Sequence, residues 1–154
     1  MYEPDERSRV DLRLFRVWMK AYKAVFDNVS RDIAGYGLSL DQFKILELLY
    51  SKGPHPIQKI SDTLSIPSGS ITYVVDKLEG KGWVTRRPSP TDRRGYLAAL
   101  TEAGERMFND IFPKHAEVIG RNLAAISEDE KRLLTELLKK IGLSAEALAK
   151  EDAP

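Results

Sequence analysis

The residues best suited to chemistry lie between Ser68 and Gly95, and they are basic or small and polar. Six basic residues stand against three acidic ones here, a local excess of three in a chain whose net charge is +1. The acidic residues are Asp76, Glu79 and Asp92, and the basic ones are Lys77, Lys81, Arg86, Arg87, Arg93 and Arg94. Such clustering is typical of nucleic-acid binding. Ordinary salt bridges on a solvated helix face would be the simpler explanation.

Catalytic and metal-binding signals are weak. The chain has no cysteine, which excludes thiol nucleophiles, disulfides and zinc fingers, and its two histidines are His55 and His115. These lie in different segments and lack the spacing of metal ligands. The sequence contains no glycine-rich phosphate loop and no nucleophile elbow. We therefore expect no enzyme activity, no metal site and no cofactor.

Long helices are predicted at both ends of the chain. Apolar residues recur at three- and four-residue steps from Asp5 to Tyr36 and form two stripes. Two stripes favour burial against a partner subunit as well as the core, with a long central helix of a monomer as the alternative. A helix from Thr101 to about Ala125 should be kinked by Pro113. A last helix is capped by Ser127 and ends at Gly142, followed by a loosely ordered tail to Pro154.

The middle of the chain predicts shorter elements. Ser39 and Gln42 have the spacing of a capping box for a second helix, and Pro56 suits the first turn of a third. A fourth helix should run from about Ser68 to Gly80. Two strands, 83–87 and 96–100, follow with a turn-rich loop between them. Two short helices followed by a hairpin predict a winged helix-turn-helix.

The outer face of the fourth helix is suited to the major groove of DNA. Its buried positions would be Ile71, Val74, Val75 and Leu78. The outer positions carry small or polar residues, namely Ser68, Gly69, Ser70, Thr72, Tyr73 and Lys77. The hairpin beside it carries Arg93 and Arg94 at its tip, where arginine can enter a narrow minor groove.

The segment from Gly82 to Gly104 resembles the wing signature of the MarR family of bacterial regulators. That signature is Asp-x-Arg, an alternating strand and Leu-Thr-x-x-Gly, which fall here on Asp92, Arg94, Leu100, Thr101 and Gly104. Segments 56–60, 68–78 and 111–115 are similar to the branch that represses methylhydroquinone- and catechol-resistance genes. Tyr73 is a departure, because many relatives carry arginine at its position.

The resemblance implies a homodimer built from the terminal helices and bound to a pseudo-palindromic operator. It implies that Arg94 enters the minor groove and that Asp92 positions it. It also implies an effector pocket between the dimer helices and the winged domain, for a small phenol or quinone. Aromatic residues that could line it are Trp18, Tyr22, Phe43 and Phe112, with His115 nearby. The simpler alternative is that these side chains fill the core.

The predicted fold is mainly α with a small β-hairpin wing, a winged helix-turn-helix embedded in a helical dimerisation domain. Residues 1–36 form the N-terminal dimerisation helix, 39–100 the DNA-binding domain and 101–154 the C-terminal dimerisation helices. The polar N-terminus and the lack of a long apolar run predict a cytoplasmic protein without membrane contact. The predicted function is that of a sequence-specific transcriptional repressor. A winged-helix module that binds protein or RNA is the alternative.

Overall fold

Six helices and three short strands make up residues 3–151, the part of the chain that the computed structural model describes. In chain order they are α1 (Glu6–Gly35), α2 (Leu40–Lys52), β1 (His55–Pro56), α3 (Ile57–Leu64), α4 (Ser68–Gly80), β2 (Val84–Pro88), β3 (Tyr96–Leu100), α5 (Glu102–Asn122) and α6 (Glu128–Glu151). The predicted fold class, mainly α with a small wing, is confirmed. The chain divides into two units between Val118 and Ile119, within α5.

Local capping signals define where several helices begin. The Asp5 carboxylate accepts a hydrogen bond of 2.7 Å from the backbone N–H of Ser8 and so starts α1. Ser39 and Gln42 form the predicted reciprocal capping box of α2. The Ser127 hydroxyl and the side chain of Glu130, which accepts from the Ser127 N–H at 2.7 Å, do the same for α6. Each cap satisfies backbone donors that the helix itself leaves unpaired.

The sheet contains one strand more than the sequence predicted. Its order is β1-β3-β2, with both pairs antiparallel and Arg86 of β2 opposite Ala98 of β3. The additional strand includes Pro56, which pairs with Leu97. The placement of Pro56 in the first turn of α3 was wrong, because its ψ of 133° is extended and it stands just before the helix. Proline is tolerated there because an edge strand does not need its N–H.

The core of the first unit is formed by the winged helix-turn-helix and the start of α5. Its fully buried side chains are Ile45, Leu46, Ile60, Ile71, Val75, Leu78, Val84 and Phe108. The long helix α1 buries only Ile33 among its described residues. Most of α1 therefore lies outside this core, whereas α4 is held against it along one face.

The last helix is longer than predicted. It continues through Gly142 to Glu151 and buries none of its described residues. The predicted end at Gly142 was wrong, because an interior glycine costs only about 1 kcal/mol and strong helix formers follow it. Residues 152–154 of the predicted tail lie outside the described part of the chain.

The helix α5 continues across Pro113 to Asn122, and the kink there stays a prediction.

Candidate nucleic-acid interface

Helix α4 is buried on one face and open on the other. Ile71, Val75 and Leu78 are fully buried, and Val74, also predicted to be buried, is half-buried. The spacing of these residues places the opposite face outward. All six residues predicted to contact DNA from this helix are exposed, namely Ser68, Gly69, Ser70, Thr72, Tyr73 and Lys77.

Tyr73 and Lys77 form a pair on this outer face. Tyr73 is 63% exposed, and the Lys77 ammonium nitrogen lies 5.3 Å from the centre of its ring. Residues four apart on a helix are neighbours, and a cation over an aromatic face is attracted to it. The pair therefore presents one positive charge and one phenol side by side, where they can meet a phosphate or a base edge.

The two helices of the helix-turn-helix begin differently from α1 and α2. Pro56 and Pro67 occupy the positions before α3 and α4, and neither helix has a side-chain capping hydrogen bond. The side chains of Asp5 and Ser39, by contrast, cap α1 and α2. The first turns of α3 and α4 are thus without a side-chain cap, and in α4 the Ser70 N–H donates instead to the Pro67 carbonyl at 2.8 Å.

The tip of the wing is organised around Asp92. Its Oδ1 accepts a hydrogen bond of 3.0 Å from the backbone N–H of Arg94, and its carbonyl accepts one of 3.1 Å from Gly95. Ser89 Oγ accepts from the N–H groups of Thr91 and Asp92 at 3.3 and 3.2 Å. The carboxylate is therefore used to shape the loop. The role of Asp92 in positioning Arg94 on DNA stays a prediction.

The two arginines of the tip point into solvent. Arg93 and Arg94 are both exposed, and within residues 3–151 neither forms an ion pair. A Cβ at the following residue, Gly95, would lie 2.7 Å from the Asp92 carboxylate, which would have to shift. The tip thus presents two unpaired positive charges on a loop stabilised by its own hydrogen bonds.

Neighbouring arginines in β2 point to opposite faces of the sheet. Arg86 lines a groove of about 570 Å³ together with Gln58, Lys59, Thr72 and Arg94. This groove separates α4 and the start of α3 from the wing. Arg87 lines a different groove of about 500 Å³, with Tyr50, Glu105 and Asn109. Only one of the two strand arginines therefore belongs to the face that α4 and the wing tip share.

Arg86 is the residue of this surface whose partners the sequence did not predict. Its guanidinium forms ion pairs with Asp76 and Glu79 of α4. Burial alone would lower the pKa of Arg86, but the hydrogen bonds and charges of the two carboxylates outweigh it and raise the pKa. The i, i+3 spacing of the two acids on α4 was visible in the sequence, but the packing of β2 against them was not.

The five residues predicted to line an effector pocket are split into two groups in the single chain. Phe43 is buried, and its ring lies tilted by 49° against the His115 ring, with 4.5 Å between the ring centres. Phe112 joins them through Phe108. Trp18 and Tyr22 lie on the exposed part of α1, 39% and 53% exposed. Phe43, Phe112 and His115 therefore take part in core packing, and the effector pocket stays a prediction.

His115 is tied to α1 by a buried polar contact. Its Nδ1 atom lies 2.8 Å from Oδ2 of Asp32, and the Tyr36 hydroxyl donates a hydrogen bond of 2.9 Å to the other carboxylate oxygen. Burial, the hydrogen bond to Asp32 and nearby negative charge raise the pKa of Tyr36 to about 12. This network joins the C-terminal end of α1 to the middle of α5.

Metal and membrane sites are not indicated by the described residues. Within residues 3–151, no three His, Asp or Glu side chains are placed so that they could hold a metal ion. None of the helices described there combines the length and the apolar character that crossing a bilayer requires.

Known proteins resemble the chain in sequence and in fold. A profile of the MarR family matches residues 38–96. The chain is 48% identical to the HTH-type transcriptional regulator MhqR of Bacillus subtilis, over 87% of this chain and 92% of that protein. It is 28% identical to the transcriptional repressor MprA of Escherichia coli K12, over 85% of this chain and 76% of that one. The DNA complex of Sco3205, a MarR family regulator from Streptomyces coelicolor, has a TM-score of 0.78 at 20% identity and covers 92% of this chain and 91% of its own.

A helix-turn-helix with an adjoining wing and an exposed polar second helix defines a DNA-binding transcriptional regulator rather than an enzyme. The chain belongs to the MarR family of such regulators. The family predicted from the wing signature is thereby confirmed, and the similarity to MhqR agrees with the predicted branch.

Proposed function

We propose that the chain is a homodimeric repressor that binds a pseudo-palindromic operator and releases it when a small phenol or quinone binds. The observation that carries the proposal is that Thr72 of α4 and Arg94 of the wing line one groove. The exposed face of α4 and the arginine tip are therefore neighbours, as reading one major and one adjacent minor groove requires. A cytoplasmic location belongs to the proposal, because the operator must be accessible.

The groove between helix and wing is suited to the DNA backbone that separates those two grooves. It is about 570 Å³ in volume and includes Lys59 and Thr72 on one side and Ser89 and Arg94 on the other. Lysine, arginine and hydroxyl groups are the usual partners of phosphate oxygens. The major contacts to bases would then come from α4, and the backbone contacts from this groove.

Unpartnered apolar surface on both terminal helices supports the homodimer. On α1, Val10, Leu14 and Val17 are 56–59% exposed. On α6, Leu133, Leu137 and Leu143 are 48–69% exposed. Apolar surface of this extent marks an interface, and a two-fold dimer matches the symmetry of a palindromic site. Light scattering should give about twice the chain mass of 17.4 kDa, and a monomer at micromolar concentration would refute the dimer.

The effector part of the proposal relies on reversible binding. With no cysteine in the chain, a quinone has no thiol to alkylate. Trp18 and Tyr22 would be covered in the dimer and could enclose a flat ligand together with Phe112. Asp32 engages Nδ1 of His115, which leaves Nε2 as the ring atom that a ligand hydroxyl would meet. Methylhydroquinone and catechol are the probes that the similar branch suggests.

Protection footprinting on the DNA upstream of the protein's own gene tests the repressor. We expect two protected half-sites about one helical turn apart, and loss of protection when methylhydroquinone or catechol is added. Dialysis should restore binding, and the intact mass of the protein should not change. Absence of protection at low salt, together with capture of RNA or protein, would favour the alternative interaction module.

A further inference from the structure

The bridge from Arg86 to α4 links the two DNA-facing elements directly. Nη2 of Arg86 lies 2.5 Å from Oδ1 of Asp76, and Nη1 bonds Oε2 of Glu79. The Arg86 side chain is only 23% exposed. One planar guanidinium therefore holds two carboxylates that are almost one helical turn apart, an arrangement with defined direction as well as strength.

The position of Arg86 in the wing allows the bridge to fix the orientation of the whole hairpin. Arg86 is the middle residue of β2 and pairs with Ala98 of β3. The same hairpin ends in the loop that holds Arg94. Holding Arg86 against α4 therefore restricts the angle between the hairpin and the helix, and with it the distance from the outer face of α4 to the wing tip.

The charges of the bridge argue against a direct DNA contact by Arg86. Both guanidinium ends are engaged by carboxylates, and the three side chains together carry a net negative charge. Such a group gains nothing from approaching a phosphate. Arg86 would therefore contribute to DNA binding by fixing the orientation of the wing relative to α4.

We infer that Arg86, Asp76 and Glu79 are positioning residues that fix the wing relative to α4, and that the two acids favour DNA binding despite their negative charge. The inference rests on the proposed binding of α4 and the wing to one duplex. Coulomb's law alone makes the opposite prediction, because removing acids from a surface that meets a polyanion should strengthen binding.

The double substitution Asp76→Asn with Glu79→Gln separates the two predictions. It keeps the shape of both side chains and removes only the charge. We expect operator affinity, measured by fluorescence anisotropy, to fall roughly tenfold, as for loss of a charge-assisted hydrogen-bond pair. Asp62→Asn is the matched control, since Asp62 is an exposed acid of α3, and it should leave affinity unchanged or slightly higher. Unchanged or tighter binding by the double variant would overturn the inference.

Substitutions of Arg86 test the positioning role of the bridge by changing its basic partner instead of its two acids. Arg86→Met should weaken binding without changing the slope of log affinity against log salt, because no phosphate contact is lost. Arg86→Lys should recover part of the affinity, since one ammonium can still pair with one acid. A smaller slope for Arg86→Met would instead assign Arg86 to a phosphate and refute the positioning role.

Two further variants distinguish a failure of the positioning inference from misfolding and from a failure of the proposed DNA binding. If the double variant does not fold, Asp76→Asn alone, at a carboxylate that is 58% exposed, should still weaken binding, and an unchanged affinity would count against the bridge. Arg94→Ala identifies a failure of the proposed function itself. If Arg94→Ala weakens binding and the double variant does not, only the positioning inference is wrong.

Discussion

Gly104, in the first turn of α5, lies directly against the main-chain carbonyl of Trp83 at the base of the wing. A Cβ at Gly104 would overlap the carbonyl oxygen and lie 2.9 Å from its carbon. Thr101 reinforces this contact. Its N–H donates to the Trp83 carbonyl at 3.0 Å, and its hydroxyl donates to the carbonyl of Gly82 at 2.5 Å while accepting from the N–H of Gly104 at 3.0 Å. The Leu-Thr-x-x-Gly motif is thus the joint between the wing and α5.

Substitution of Gly104 by alanine should therefore destabilise the protein. The opposing group is backbone and cannot rotate away, so we expect a loss of about 1–3 kcal/mol in the free energy of unfolding. Chemical denaturation measures it. Gly120→Ala is the matched control in the same helix, because a Cβ there meets nothing within 4 Å, and it should be neutral or stabilising by about 0.5–1 kcal/mol. Equal stability of the two variants would contradict the packing described for Gly104.

Arg94→Ala should weaken operator binding strongly. Each subunit would lose a minor-groove contact, and one good base or groove contact is worth about 1–3 kcal/mol. Arg87→Ala provides the control, since Arg87 is also a wing arginine but lines the groove with Glu105 and Asn109. Its effect on affinity should be small. Equal losses for both variants would indicate that only the overall charge of the wing matters.

Lys77→Ala should reduce the salt dependence of DNA binding. If Lys77 contacts a phosphate, the slope of log affinity against log salt should fall by about one per subunit, hence about two per dimer. Anisotropy titrations over a range of salt concentrations measure this slope. A weaker affinity with an unchanged slope would instead indicate a base contact.

Tyr36 should make stability depend on pH in the alkaline range. Its pKa is raised from the usual 10.0 to about 12 in the folded protein, by burial first and then by Asp32. A raised pKa means that the folded state holds the proton more tightly than the unfolded state. The contribution is complete below pH 10 and is lost as pH rises toward 12. The stability difference between the protein and Tyr36→Phe should shrink over that interval, and a constant difference would refute the assignment.

Features governed by neighbouring residues could be predicted from the sequence. The bounds of α4, Ser68 and Gly80, follow from the proline before it and the glycine at its end, and the capping boxes at Ser39 and Ser127 follow from side chains three residues apart. The exposure of Tyr73 and Lys77 follows from helical periodicity alone. These are short-range effects, so the local chain carries enough information.

Features that depend on tertiary contacts were missed or misplaced. The strand containing Pro56 exists because β3 lies beside it, and the partners of Arg86 depend on how the sheet packs against α4. At Gly142 a local signal was overruled by the helix formers on both sides. The predicted effector residues do not lie together: Trp18 on α1 lies outside the core, whereas Phe43 on α2 lies within it.

The anchoring of the wing has a mechanical consequence. The hairpin is fixed at its base by Thr101 and Gly104 and at the middle of β2 by the bridge from Arg86 to α4, while the tip beyond these anchors is stabilised by hydrogen bonds within its own loop. A five-residue strand is about 17 Å long, so turning the base by about 10° would displace the tip by about 3 Å. That displacement is about as large as the distance between donor and acceptor in a hydrogen bond. Once the bridge from Arg86 to α4 is released, a modest rotation of α5 would therefore be enough to carry Arg94 into or out of reach of a base pair.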